Sequence, residues 1–103
     1  MSRYNARLKN NRILSWGYDE PLREYFLHEE YSPEEIKKLS FDDEEEGDEH
    51  LVFAISNKFT LKPHPDTPNK YTYTNGEMLS YMRSYKDVIP KAHLEAIASD
   101  LSF

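Results

Sequence analysis

The chain has 103 residues, 38% of them apolar and 14% aromatic, with no cysteine and a formal charge of −6; its mean hydropathy is −0.86. That length accommodates one domain, 1–103, and the missing cysteine excludes disulfide scaffolds, thiolate metal sites and cysteine nucleophiles. No stretch approaches the roughly 18 apolar residues of a membrane helix or the apolar core of a signal peptide, so the expected location is the cytoplasm.

Residues 1–12 are polar and basic, with Tyr4, Ala6 and Leu8 alternating; an opening strand is favoured over a mobile arm at 1–10. Ile13, Leu14 and Trp16 run into Gly17, Tyr18, Asp19, Glu20 and Pro21, where the glycine and proline mark a turn. Residues 22–31 are rich in aromatics, and the Tyr25/Leu27 alternation predicts a strand with one buried face.

The next segment carries complete helix-start chemistry. Ser32 is placed to cap orphan N–H groups, Pro33 fits the first helical position, and Glu35 reaches back to close a capping box. With Tyr31 and Ile36 as a hydrophobic staple, the pattern predicts a short helix near 33–39. An exposed acidic loop around Gly47 follows at 41–50. Leu51 to Ile55 form an apolar run rich in β-branched and aromatic residues, the best candidate for a central strand.

Three prolines within 62–69 exclude regular structure there and predict a surface loop. Tyr71 and Tyr73 alternate before Asn75-Gly76, which raises a hairpin. A helix at about 75–86 fits better, because Thr74 and Glu77 form a second capping box, Tyr73 and Met78 a second staple, and Met78, Leu79, Met82 and Tyr85 recur at helical spacing. Pro90 opens a last helix whose stripe is Leu94, Ile97, Ala98 and Leu101. The sum is an α+β domain in which a small antiparallel sheet of about three strands packs against two or three short helices.

The charge is uneven: residues 1–16 sum to +4, residues 17–50 to −11 and residues 51–103 to +1. Aligned as a calcium loop from Asp42, the acidic run places Glu44, Glu46 and Gly47 in register, but the twelfth ligand position falls on Phe53 and a strand follows. An EF-hand is therefore excluded. His28, His50, His64 and His93 are scattered one to a segment, without a helical pair or an HExxH arrangement, so no metal site is expected. There is no G-x-S-x-G elbow and no Ser-x-x-Lys pair, and Gly17, Gly47 and Gly76 are too far apart for a phosphate loop. No catalytic residue and no cofactor is assigned.

What remains points to a small non-enzymatic protein-binding domain. Asp42, Asp43, Glu44, Glu45, Glu46, Asp48 and Glu49 form a carboxylate block suited to a basic partner, in one version by mimicking nucleic acid as inhibitors borne by phages or plasmids do. The strand-turn region 19–30 is a further contact surface. Tyr81, on the Met- and Tyr-rich helix, is a separate contact candidate, and the expected state is a monomer or a weak homodimer. One alternative is a small enzyme or ligand-binding module with a pocket near Trp16, Tyr18, Asp19 and Phe26, for which Asp19 and Glu24 are the carboxylates close in sequence to the aromatic residues. Another is nucleic-acid binding through Arg3, Arg7, Lys9 and Arg12 with Tyr4 and Trp16 interleaved; the sequence pI of 5.2 opposes it.

Overall fold

The structure, a computed structural model, describes residues 2–38 and 50–103. Four strands and three helices follow in the order β1 (Ser2–Arg7), β2 (Ile13–Asp19), β3 (Glu24–Glu30), α1 (Pro33–Lys38), β4 (Leu51–Ser56), α2 (Asn75–Arg83) and α3 (Lys91–Ala98). The strands form one antiparallel meander in sequence order. The α+β class expected from the sequence holds, with four strands where about three were expected; the fourth is the opening strand favoured for the N-terminal segment, whose residues 2–7 pair with β2 at the edge of the sheet.

Tight connections set the register. Asn11 closes the β1–β2 turn at φ 67°, a left-handed conformation that asparagine tolerates better than most residues. Pro21 sits in the β2–β3 turn, which closes through Arg23 N–H donating to the Glu20 carbonyl at 3.2 Å. That register pairs Tyr4 with Trp16, Trp16 with Leu27, and Leu27 with Ile55. Side chains alternate between faces of a strand, so these four share one face. Trp16, Leu27 and Ile55 are buried in the core with Leu14, Tyr25 and Phe53, whereas Tyr4, on the edge strand, is exposed.

α2 lies against β3 and α3 against α2, and they add Met78, Met82 and Ile97 to the core. Each buried aliphatic side chain of this size contributes about 1.5–3 kcal/mol. Both predicted capping boxes are present. Glu35 N–H donates to Ser32 Oγ at 3.2 Å and Ser32 N–H to Glu35 Oε1 at 3.3 Å. Thr74 and Glu77 exchange the same two bonds at 3.1 Å each. α2 ends at Arg83, before the predicted 86, and Tyr85 lies in the turns that follow.

Leu101, expected on the last helix, lies beyond it and is exposed. The helix stops because Asp100 takes φ 56°, while Leu101 N–H donates to the Ala96 carbonyl at 2.7 Å and Asp100 N–H to the Ile97 carbonyl at 3.1 Å. These two bonds define a Schellman ending.

The proline-containing loop begins by clasping the outer edge of β4. Ala54 N–H donates to the Lys62 carbonyl at 2.7 Å, and Lys62 Nζ donates to the Leu51 carbonyl at 2.6 Å. Farther along, Tyr73 Oη accepts from His64 N–H at 3.1 Å and bonds the Thr67 hydroxyl at 2.5 Å, which ties the loop to the core. Among the described residues no helix is long and apolar enough to cross a membrane.

Candidate functional site

The carboxylates Asp42, Asp43, Glu44, Glu45, Glu46, Asp48 and Glu49 lie outside the described residues. Their flanks are defined. α1 ends at Lys38 and β4 opens at Leu51, and Tyr31 N–H donates to the His50 carbonyl at 2.8 Å. The block is thus carried between two anchored elements. Tyr81 is half-buried, with its ring centroid 4.3 Å from that of His64 and edge-on to Tyr73 at 5.8 Å.

The pocket residues weighed from the sequence are not brought together. Trp16 pairs with Leu27 and faces the core, whereas Phe26 pairs with Gly17 on the opposite face of the sheet. Asp19 and Glu24 pair with each other on that second face, beside the β2–β3 turn. Phe26 instead packs near His28, their centroids 5.3 Å apart. Burial, then the Arg3 charge, pushes the His28 imidazole down to about 4.

Around Trp16 the space is filled by the protein's own rings. The indole N–H donates to His93 Nδ1 at 2.9 Å, so the proton of the neutral imidazole sits on Nε2. Tyr4 lies 4.4 Å from the His93 ring, and Phe103 stacks on it at 4.7 Å. Burial lowers the His93 pKa. Tyr25 closes the same end by donating its hydroxyl to the Leu101 carbonyl at 2.8 Å, and burial, followed by Asp100, pushes that hydroxyl up to about 12. This group is a clamp that holds the C-terminal residues on the sheet.

The N-terminal basic residues divide by role. Arg12 donates to the buried Glu29 at 3.0 Å and to Glu35 at 2.9 and 3.0 Å, with its guanidinium 5.2 Å from the Tyr31 ring centre. Tyr85 donates its hydroxyl to the other Glu29 oxygen at 3.0 Å. The Arg12 bond holds Glu35 down to about 2, and burial, then Glu29, raises the Tyr85 hydroxyl above its usual range. Arg12 is therefore committed to joining the β1–β2 turn, β3 and α1, whereas Arg3, Arg7 and Lys9 remain exposed.

The described surface also carries open depressions. A polar cleft of about 940 Å³ lies at the start of α2, beside the β2–β3 turn, and includes Arg23, Lys58, Lys70, Glu77 and Asp100. In it Asn57 donates to Asn75 Oδ1 at 2.8 Å, Asn75 donates to Asp100 Oδ1 at 2.9 Å, and Lys70 pairs with Glu77. Its charges balance internally. Another is a groove of about 760 Å³ between α2 and α3 that includes Arg83, Lys86 and Lys91. Sequence reasoning missed that groove, although Lys91, Leu94, Glu95 and Ala98 share one face at helical spacing. Among the described residues no three histidine or acidic side chains converge as a metal site would require.

The architecture defines a small α+β domain with a four-stranded meander. No protein-family model matches the sequence, and neither a curated protein nor a solved structure does.

Proposed function

We propose that this chain is a soluble, non-enzymatic protein-binding domain of the cytoplasm that recognises a basic partner through the carboxylates of residues 42–49. The observation that carries the reading is the partition of charge. Seven of the 19 acids fall in those eight positions, and removing their seven charges from the net −6 leaves +1 for the described residues. The acidity of the protein is thus the property of one block, set between α1 and β4. Such a density of carboxylates attracts cationic surfaces and steers their approach. The internal filling of the space around Trp16 supports a binding domain over an enzyme with its pocket there.

The test is affinity capture from the source cell with the parent chain and with a variant carrying Asp42→Asn, Asp43→Asn, Glu44→Gln, Glu45→Gln and Glu46→Gln. The expected result is a basic protein retained by the parent, released by salt and lost from the variant. Equal retention by both forms overturns the reading.

A further inference from the structure

The groove between α2 and α3 has a character opposite to that of the acidic block. Arg83, Lys86 and Lys91 line it together with the apolar Leu94 and Ala98. Asp87, which also lines it, is shared with an adjoining depression of about 200 Å³ that includes Arg7 and Lys9. Counting Glu95, the continuous strip holds five cations against two acids. Arg83 and Lys86 make no ion pair among the described residues, and Lys91 reaches only the exposed Glu95, at 3.8 Å. A cationic surface with an aliphatic centre thus stands open on a chain whose net charge is negative.

We propose that this strip docks an acidic peptide segment in which carboxylates flank an aliphatic side chain. The cations supply charge complementarity, and Leu94, Ala98 and the lysine and arginine stems supply apolar area for the central side chain. A nucleic acid fits less well. Its phosphates form an unbroken line of charge, which Asp87 and Glu95 oppose; the groove itself has no aromatic lining, and Tyr85 in the adjoining depression is half-buried with its hydroxyl bonded to Glu29, which leaves no exposed ring for a base to stack on. The chain's own run DDEEEGDE has no apolar side chain between its acids, so a second copy lacks the central anchor. This surface is independent of the acidic block.

The test is fluorescence anisotropy with a labelled peptide bearing a central leucine between two pairs of acids. It is run on the full chain and on the form neutralised at Asp42 to Glu46. Saturable binding is expected in both, weakened about ten-fold by the exposed pair Lys86→Glu and Lys91→Glu and several-fold when the peptide leucine becomes serine. Circular dichroism confirms that the charge-reversed variant is folded. Three results overturn the proposal: binding by neither form, equal binding by the charge-reversed variant, or a single-stranded oligonucleotide that outcompetes a peptide indifferent to its leucine. Because the neutralised form lacks most of the acidic block, its behaviour separates failure here from failure of the basic-partner reading.

Discussion

Trp16 donates its indole N–H to Nδ1 of His93 across 77 positions of sequence, at 2.9 Å. A protonated imidazole has no acceptor nitrogen, so the bond exists only while His93 is neutral.

This bond and the burial of His28 make the fold sensitive to mild acid. Both folded imidazoles titrate below the ordinary value of 6.5, His28 near 4. As pH falls, the unfolded chain takes up protons first. Stability is therefore complete above about pH 6.5 and declines towards pH 4. For His28, with allowance for solvent screening, the loss by pH 5 is about 1–2 kcal/mol. Urea unfolding midpoints at pH 7 and pH 5 measure it. His28→Gln flattens most of the decline and His93→Gln part of it; an identical decline in both variants would refute the assignment.

Arg12→Ala strands Glu29, which is 6% exposed, without its cation. The expected loss is about 3 kcal/mol, the range for breaking one side of a buried pair. Adding Glu29→Gln recovers part of it, since a neutral amide is less costly to bury. A double-mutant cycle by denaturant unfolding reads the coupling, and additive effects would show that the pair does not act as a unit.

Asp100 holds a left-handed conformation that glycine adopts without strain, yet its carboxylate accepts from Asn75 at 2.9 Å. Asp100→Ala keeps the strain and loses the bond, for a loss of about 1–2 kcal/mol. Asp100→Gly exchanges the bond for relief of strain and stays within about 0.5 kcal/mol of the parent. Equal melting temperatures for the two variants would contradict this balance.

Gly76 lies in the first turn of α2, where an added Cβ meets the Thr74 hydroxyl at an ordinary 3.9 Å. Nothing steric requires glycine there. Gly76→Ala raises stability by about 0.5–1 kcal/mol through helix propensity and a less free unfolded chain. Calorimetry would show a higher melting temperature; a lower one would point to a role for the glycine beyond the helix.

Local signals carried most of the architecture. The Ser32/Glu35 and Thr74/Glu77 boxes depend on residues three apart, and the run from Leu51 to Ile55 announces its own burial, so each is readable without the rest of the chain. Facing is different. Trp16 and Phe26 look like neighbours in a hairpin, but a shift of one residue in register exchanges the faces of a strand, and the turn around Pro21 sets that register. The union of Arg12, Glu29, Glu35 and Tyr85 joins four separate segments, and no spacing rule links them. Leu101 continues the helical stripe of Ile97 and Ala98; only the backbone angle of Asp100 shows that the helix has already ended.

The clasp between Ala54 and Lys62 gives the sheet a direction of growth. With the far rim of β4 occupied, an added extended peptide would find ladder hydrogen bonds beside β1, where Arg3 and Arg7 stand on the strand. Edge strands that bear charged side chains resist such additions. The protein is thereby guarded on both flanks against strand-by-strand assembly, by a backbone clasp on one side and by charge on the other.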